Sequence, residues 1–562
     1  MARTVGIGNQ DFETIRREGY FYVDKTNLIR EWWENGDSVT LITRPRRFGK
    51  TLNMSMLEQF FSVDYAGRGD LFEGLSVWQQ EKYRRLQGTY PVIALSFAKV
   101  KETSYQEARK KICRILSDLY RQFDFLWNSE KLTPREKELY QAVSDDMEDY
   151  VAAESLNALS NLLMRYYGKK VIILLDEYDT PMQEAYVSGY WDELVTFTRG
   201  LFNAAFKTNP YLERALMTGI TRVSKESMFS DLNNLEVVTT TTEKYADSFG
   251  FTEEEVFAAL EEYGLSEYQQ QVKDWYDGFT FGSRRDIYNP WSIINFLDKK
   301  KVGAYWAGTS SNRLVSKLLR EGSSGIKKNF EYLLAGGALE LEIDEQIAYS
   351  QLSTKKNAIW SLLLATGYLK VWETTFVERT GRAYYKLVLT NKEVAFMFED
   401  MVRDWFSEND YYNDFIKALL LGDVAAMNTY MNRVTREMFS YFDTGRNPYS
   451  EPERFYHGFV LGLMVELSDR YVVTSNRESG FGRYDVMLEP RRVAEDDGIL
   501  LEFKVQSEGE KELSDTVTQA LRQIQERDYQ ASLVAKGVPE DRIRKYGFAF
   551  CGKEVLIGAA NP

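Results

Sequence analysis

Continuous apolar runs of strand length constrain the fold of the first third of the chain more than any other feature. These runs are VTLIT (39–43), YPVIALSFA (90–98), KKVIILLDEYD (169–179) with its acidic end, and RALMTGIT (214–221). Long amphipathic stretches such as 104–125 and 153–167 separate them. Because uninterrupted apolar strands alternate with helices, both faces of the sheet must be covered. The sequence therefore predicts an α/β domain built on a parallel sheet.

The pattern becomes mostly helical from about residue 250. TEEEV (252–256) opens a helix with an acidic first turn. Further on, a buried helix over 357–370 precedes strand-like runs at 370–376 and 383–389, and a helix followed by a hairpin indicates a winged-helix element.

The polar segment DTGRNPYSEPE (443–453) is the best linker candidate in the second half. After it the order is helix, strand, strand, helix, strand, which indicates a compact α/β unit. We therefore expect three domains: a phosphate-binding α/β domain over 1–245, a helical middle region over 246–445 and a C-terminal α/β domain over 446–562.

Composition narrows the chemistry that this chain can perform. Its two cysteines and single histidine exclude a disulfide framework, a cysteine-rich zinc site and most histidine-dependent triads. Catalysis should then depend on carboxylates, lysines and a hard metal ion. The net charge of −14 means that nucleic acid would need a local basic groove. No apolar run approaches the ~18 residues of a membrane span, and the start lacks a signal-peptide stretch, so we expect a cytoplasmic protein without membrane contact.

A candidate phosphate loop, LITRPRRFGKT (41–51), lies between the first strand and a helical run. Its backbone N–H groups and the helix N-terminus would face an anion. Lys50 would reach the β- and γ-phosphates of ATP, and the Thr51 hydroxyl would bind Mg²⁺. The usual pattern begins with glycine where this chain has Arg44, so a structural basic turn remains the alternative. The loop residues expected to contact nucleotide beside Lys50 and Thr51 are Arg44, Arg47, Phe48 and Gly49.

Two acids at the end of the third apolar run strengthen this interpretation. Asp176 stands where a carboxylate would support Mg²⁺, and Glu177 would polarise the attacking water. The next run ends in MTGITR, where Thr218 is placed to sense the γ-phosphate. Arg222 would act on the same nucleotide or, in a homo-oligomer, on that of a neighbour, and an arginine that merely orders its loop is the alternative.

A second candidate site lies near the C-terminus, in SGFGRYDVMLEP and GILLEFKVQ. Asp485 stands at the turn into one strand, and Glu502 and Lys504 alternate along the next, so the latter two share a face. An Asp and a Glu on neighbouring strands hold Mg²⁺ or Mn²⁺ through oxygen atoms. A lysine beside them would position water or stabilise charge on a phosphodiester.

The helix that follows adds polar candidates. These are Gln523, Gln525 and Tyr529, of which Gln525 and Tyr529 are one helical turn apart, and a glutamine that faces the metal would contact substrate phosphate or base. Glu453, at the opening of the preceding helix, is a candidate for completing the metal shell, and Glu466 is its rival. Surface polarity is the alternative for the glutamines.

With both sites described, the chain resembles a family of bacterial and archaeal proteins that join an AAA-ATPase-like domain to a C-terminal PD-(D/E)xK nuclease-like domain. The segments that carry the resemblance are QDFETIRREGYFYVDKTNLI, RPRRFGKT, LLDEYDTP, TGITRVSKESMFSDLNNL, YDGF with YNPWSI, and GRYD…EFK…ALRQI…Y. The resemblance implies an α/β fold class: a P-loop ATPase with a parallel sheet, a helical, winged-helix-like middle region and a restriction-endonuclease-like domain. It also implies that Arg44 is normal at its position and that Asp485, Glu502, Lys504 and Gln523 form the nuclease core.

The favoured hypothesis is an ATP-gated nuclease that cuts DNA with Mg²⁺ or Mn²⁺ and hydrolyses ATP. One alternative is an ATP-driven switch or scaffold whose nuclease-like domain binds nucleic acid or a partner without cutting, which the acidic net charge favours slightly. Another is a nuclease whose ATP is only structural.

Overall fold

The computed structural model describes all residues except 1, 208, 222–231, 307–312, 321–323, 335, 345–351, 353–356, 380–381, 408–411, 439–459, 461–463, 465–466, 468–469, 476–477, 480–481, 484, 508, 553 and 561–562. The chain divides into two compact units. The first comprises Met1–Leu314 and Ala338–Ala395, and the second comprises Val315–Gly337 and Phe396–Pro562.

The helices follow one another along both units. They are α1 (Phe12–Arg17), α2 (Asn27–Asn35), α3 (Lys50–Phe61), α4 (Glu81–Arg84), α5 (Tyr105–Gln122), α6 (Pro134–Ala142), α7 (Asp149–Tyr167), α8 (Thr180–Ser188), α9 (Trp191–Phe202), α10 (Glu253–Glu262), α11 (Gln269–Tyr276), α12 (Pro290–Lys299), α13 (Arg313–Arg320), α14 (Ser324–Leu334), α15 (Ala358–Ala365), α16 (Lys392–Ser407), α17 (Tyr412–Leu421), α18 (Val424–Met438), α19 (Leu513–Glu526) and α20 (Ala531–Ala535).

The strands form separate sheets in the two units. They are β1 (Val39–Thr43), β2 (Val92–Ser96), β3 (Val171–Asp176), β4 (Leu212–Gly219), β5 (Leu235–Val238), β6 (Phe251–Thr252), β7 (Phe279–Phe281), β8 (Arg284–Tyr288), β9 (Leu339–Leu341), β10 (Leu369–Val377), β11 (Arg382–Leu389), β12 (Tyr471–Ser475), β13 (Glu478–Ser479), β14 (Gly482–Arg483), β15 (Val486–Pro490), β16 (Gly498–Val505), β17 (Ile543–Cys551) and β18 (Glu554–Ala559).

The main sheet of the first unit has the order β2-β3-β4-β1-β5, and every neighbouring pair is parallel. All residues of β1 and β3 are buried, because helices cover both faces. Since the strands are parallel, the residues that follow β1, β3 and β4 meet at one edge of the sheet. This edge holds the candidate phosphate loop, Asp176 and Thr218.

The middle of the first unit packs α10, α11 and α12 around their own apolar core, beside the small antiparallel sheet β6-β8-β7. A capping box between Thr252 and Glu255 begins α10, as the acidic first turn predicted. The buried helix α15 is followed by the antiparallel hairpin β10-β11, to which β9 adds a third strand. The predicted helix and hairpin are thus present, but the helix ends at Ala365 and not at residue 370, because β10 already begins at Leu369.

The second unit is built on a five-stranded mixed sheet with the order β12-β15-β16-β17-β18. Only β16 and β17 are parallel, and the other neighbours are antiparallel. One face packs on α17 and α18, and α19 lies against β16 and β17. Carboxylates at Asp485 and Glu502 are therefore brought together by β15 and β16.

The predicted fold class is confirmed: the chain is α/β, with a parallel sheet at the N-terminus and a mixed sheet near the C-terminus. The predicted linker over 443–453 lies outside the described residues. No helix in the described parts of the chain is both long enough and apolar enough to cross a bilayer.

Candidate functional site

The phosphate loop runs from the end of β1 to the first residue of α3. Two of its residues take a left-handed backbone: Arg47 has φ 65° and Gly49, the N-cap of α3, has φ 81°. Glycine takes this conformation without strain, which explains its place directly before Lys50. Arg44 is not among the residues of positive φ, so the loop needs no glycine there.

Lys50 and Thr51 begin α3 from inside the loop. The Lys50 ammonium is buried and donates to the carbonyl oxygens of Arg44 and Pro45 at 2.9 and 2.8 Å. Burial lowers the pKa of Lys50, and the carboxylates of Glu177 and Asp176 act in the opposite direction. The Thr51 hydroxyl donates to Asp176 Oδ2 at 2.7 Å. This hydroxyl and carboxylate form an oxygen donor pair of the kind that Mg²⁺ prefers.

Asp176 is the buried carboxylate at the centre of this site. Its Oδ1 accepts the hydroxyl of Thr218 from the adjacent strand β4. Burial raises the pKa of Asp176, against the hydrogen bonds of Thr218 and Thr51, which lower it. Thr218 is itself fully buried, so it meets the nucleotide site through Asp176.

Glu177 follows Asp176 in a left-handed conformation with φ 51°. Its side chain is half-buried, lines the cavity and accepts the Thr180 hydroxyl at 3.0 Å. A carboxylate held at a cavity wall next to Asp176 is placed to orient water.

The structure places the Arg44 side chain away from the cavity, unlike the prediction from sequence. Its guanidinium donates to the carbonyl oxygens of Thr43 and Thr239 and lies 4.3 Å from the centre of the Phe281 ring. Burial lowers the pKa of Arg44 to about 9. The side chain therefore fixes the loop to the segment after β5.

Two other loop side chains are also occupied by protein contacts. The Phe48 ring packs against Phe279, with centroids 4.7 Å apart, and the Arg47 guanidinium lies 4.4 Å from the Trp291 ring centre. Both residues still line the cavity.

The cavity in front of the loop has a volume of about 1010 Å³, which is in the range of a cofactor pocket. Lys50, Thr51, Asp176 and Glu177 line it at the phosphate loop. Its lining also includes apolar residues, among them Val5, Ile15, Phe251, Trp291 and Ile294, and further basic ones such as Lys99, Lys101, Lys111 and Arg114. This arrangement suits a nucleotide, with phosphates at the loop and the base against apolar side chains.

Asp179 is a functional candidate that sequence reasoning left out. It is buried, and its Oδ2 accepts the backbone N–H groups of Ile220 and Thr221 at 2.9 and 2.8 Å and the Thr221 hydroxyl at 2.9 Å. Burial raises the pKa of Asp179. A Cβ at Gly219 would lie 2.7 Å from Asp179 Oδ1. Asp179 therefore fixes the end of β4. The sequence feature that could have pointed to it is its position just beyond the Asp176-Glu177 pair.

The C-terminal site forms where β15 and β16 pair. The Oδ2 of Asp485 accepts the backbone N–H of Phe503 at 2.8 Å, which brings Asp485 beside Glu502 and Lys504. Glu502 is buried, and the Lys504 ammonium lies 4.0 Å from its Oε1. Burial raises the pKa of Asp485, while the Phe503 N–H and Lys504 lower it.

Gln523 on α19 completes this group from the helix side. Its amide donates to Glu502 Oε1 and, at 3.0 Å, to the hydroxyl oxygen of Tyr529. Helical spacing favoured Gln525 as the partner of Tyr529, yet α19 ends at Glu526 and Asp528 has φ 49°. The chain therefore turns back toward Gln523, and Gln525 is exposed.

A buried carboxylate at Glu502 and a half-buried one at Asp485, beside one ammonium, fit a divalent cation, because the negative charge exceeds what Lys504 balances. Among the described residues, this site supplies two acids. Glu453 and Glu466, the candidates for a further ligand, and Arg222 of the first site lie outside the described residues.

Comparison with known proteins gives two domain matches. Residues 6–229 match the family model described as Predicted AAA-ATPase, and residues 451–560 match that of the PD-(D/E)XK nuclease superfamily. A protein of Azotobacter chroococcum mcd 1 named "Uncharacterized protein in vnfD 5'region" is 27% identical over 556 residues, which cover 95% of this chain and 94% of that protein. The two domain matches confirm the resemblance drawn from the motifs.

Proposed function

We propose that this chain, which joins a predicted AAA-ATPase domain to a domain of the PD-(D/E)XK nuclease superfamily, is an ATP-gated nuclease that cuts DNA phosphodiesters. The observation that carries this proposal is the grouping of Asp485, Glu502 and Lys504 at the β15–β16 pair, with Gln523 on Glu502. A site for binding alone has no need of two carboxylates, one of them buried, beside a lysine.

At the first site, the loop N–H groups and Lys50 would bind the phosphates of ATP. Thr51 and Asp176 would hold Mg²⁺, and their hydrogen bond at 2.7 Å keeps the two oxygens together. Glu177 would orient the attacking water from the cavity wall. Arg222 remains our candidate for stabilising transition-state charge, in cis or from a second copy of the chain.

At the second site, Asp485 and Glu502 would hold Mg²⁺ or Mn²⁺, which when bound supplies a Lewis acid and a more acidic water. Lys504 would stabilise negative charge on the phosphodiester in the transition state. Gln523 would keep the Glu502 carboxylate oriented, since its amide donates to Oε1.

The test measures cleavage of plasmid, linear duplex and single-stranded DNA with Mg²⁺ or Mn²⁺, with and without ATP. Lys504→Ala should abolish cutting and leave ATP hydrolysis intact, and Lys50→Ala should abolish ATP hydrolysis and the ATP effect on cutting. Lys511→Ala, an exposed lysine of the same C-terminal unit, is the matched control.

The outcomes separate the alternatives. Cleavage that survives in Lys504→Ala would contradict the assignment of the nuclease site to Asp485, Glu502 and Lys504. Cleavage that is lost in Lys504→Ala but unaffected in Lys50→Ala would mean that bound ATP has only a structural role. ATP hydrolysis without cutting on any substrate favours a switch or scaffold that binds nucleic acid or a partner.

A further inference from the structure

The carbonyl oxygen of Arg46, in the middle of the phosphate loop, is bound from outside the loop. It accepts the indole N–H of Trp306 at 3.0 Å and the side-chain amide of Asn289 at 3.3 Å. In a trans peptide the following N–H, here that of Arg47, points the opposite way from this carbonyl. Trp306 and Asn289 therefore fix the orientation of an N–H group of the loop.

Glu393 lies behind Trp306, in the first turn of α16. Its side chain is fully buried; Oε1 accepts the backbone N–H of Trp306 at 2.6 Å and Oε2 accepts the Ser292 hydroxyl at 2.8 Å. Ser292 belongs to α12, whose N-cap is Asn289. The beginnings of α12 and α16 thus both support the Arg46 carbonyl. Asn289 binds it directly, and Glu393 acts through Trp306.

The packing of aromatic rings also connects Trp306 to the phosphate loop. The Trp306 ring lies edge-on to Phe279, with centroids 5.6 Å apart, and Phe279 contacts Phe48 of the loop. On its other side Trp306 lies 5.4 Å from the Tyr368 ring. A Cβ at Gly367 would lie 2.7 Å from Cγ of Pro45. Close packing of this kind leaves the loop little room to move independently of Trp306.

We infer that Trp306 and Glu393 are positioning residues, which hold the phosphate loop through Arg46 and tie its conformation to α16. The inference rests on the proposed ATP site and adds a route for its regulation. Helix α16 continues to Ser407, past Ala395, the last residue of the first unit. A change in the loop on ATP binding would therefore reach the helix that leads out of this unit.

The variant Trp306→Phe keeps an aromatic ring but removes the indole N–H, and Glu393→Ala removes both acceptors. Trp32→Phe is the matched control, because the buried Trp32 indole donates to the Thr40 hydroxyl, away from the Arg46 carbonyl. We expect Trp306→Phe to raise KM for ATP by about tenfold, with a smaller fall in kcat, since the Arg47 N–H of the loop is then less firmly oriented. Trp32→Phe should leave both constants unchanged.

Amide hydrogen exchange of the full chain with and without a non-hydrolysable ATP analogue is the second measurement. In the wild-type protein, the analogue should slow exchange both in the loop (44–53) and in the start of α16 (392–400). In Trp306→Phe and Glu393→Ala, the loop should still respond and α16 should not.

The inference is overturned if α16 responds in both variants as it does in the wild type, or if the wild-type helix never responds while the loop does. A wild-type loop that shows no response to the analogue is a different failure. It would contradict the proposed ATP site and remove the basis for the inference with it.

Discussion

The phosphate loop and the C-terminal carboxylate site position their groups in different ways. The loop draws on one contiguous segment, and its left-handed residues Arg47 and Gly49 shape a backbone cradle at the start of α3. The carboxylate site draws on two strands and a helix, with Asp485 before β15, Glu502 on β16 and Gln523 on α19. The shape of the first site is thus set by local conformation, with Trp306 and Asn289 holding the loop from outside, whereas the second site exists only through the docking of separate elements.

The buried carboxylates at the two centres show the same contrast. Asp176 accepts hydroxyls from both sides, from Thr51 on α3 and Thr218 on the neighbouring strand. Glu502 accepts the amide of Gln523, which a helix must bring into place. We therefore expect Asp176 to tolerate the loss of one partner better than Glu502.

Among the variants that test this comparison, the largest effect is expected from Glu502→Gln, which removes the charge of a proposed metal ligand from the second site only. DNA cleavage should fall by about 10³-fold, while ATP hydrolysis stays unchanged because Asp176 keeps both partners. Single-turnover cleavage and phosphate release measure the two activities. Glu489→Gln on β15 is the control, since that carboxylate binds Lys536. Comparable losses in both variants would place the catalytic carboxylate elsewhere.

A smaller effect is expected from Gln523→Leu, which leaves the ligands but removes the amide that orients Glu502. Such supporting contacts are typically worth 10- to 100-fold, and we expect about a tenfold loss of cleavage, recovered in part at high Mn²⁺. Gln525→Leu on the same helix is the matched control, because Gln525 is exposed. A loss in Gln525→Leu that equals or exceeds that in Gln523→Leu would show that the helix face was assigned wrongly.

Thr218→Val should have a milder effect, about a threefold fall in ATP hydrolysis. The Thr51 hydroxyl still holds Asp176, and β4 keeps its register with β3. Thr196→Val serves as the control, because that exposed hydroxyl donates only to the Asp192 carbonyl oxygen of its own helix. Loss of all ATP hydrolysis in Thr218→Val would mean that Thr218 acts on the nucleotide directly.

The sequence predicted the first unit well where the signal is local. The strands β1, β3 and β4 were visible as apolar runs, and because parallel strands end at one edge, Asp176 and Thr218 could be placed beside the loop. The sequence did not predict β5, because this strand, LEVV, is short and its side chains are mostly half-buried. Asp179 was left out because its hydrogen bonds go to the backbone N–H groups of Ile220 and Thr221, just after β4, and its place near the Asp176-Glu177 pair does not reveal these partners.

Prediction failed where a side chain takes its partner from a distant segment. Arg44 was expected at the nucleotide, but Thr239 and Phe281 lie where the guanidinium can be buried. Gln525 was paired with Tyr529 by helical spacing, which holds only while the helix continues. The sequence did not predict the contact between Trp306 and Glu393 for the same reason, since only the fold brings Glu393 to the tryptophan that binds the loop.

The smallest expected effect concerns the pH dependence of metal binding, which compares the two sites through the pKa of one carboxyl in each. Burial raises the pKa of both Asp176 and Asp485 above the ordinary value. The folded chain then binds these protons more tightly than the unfolded chain does. Each carboxyl therefore favours the folded state at low pH, and this contribution is lost as the pH rises through the raised pKa. A divalent cation competes with the proton, so metal binding should release protons at mildly acidic pH.

Lys504 lowers the pKa of Asp485, so Lys504→Ala should move the acid limit of Mn²⁺ binding to higher pH. Calorimetric titration of the full chain without nucleotide, in two buffers of different ionisation heat, gives both the affinity and the protons released. Lys50→Ala should move the Mg²⁺-binding limit at Asp176 in the same direction, because Lys50 also lowers the pKa of that carboxyl. At both carboxyls a hydrogen bond lowers the pKa more than the lysine does: that of Thr218 at Asp176 and that of the Phe503 N–H at Asp485. An acid limit that does not move in one of the variants would show that its lysine has no effect on that carboxyl.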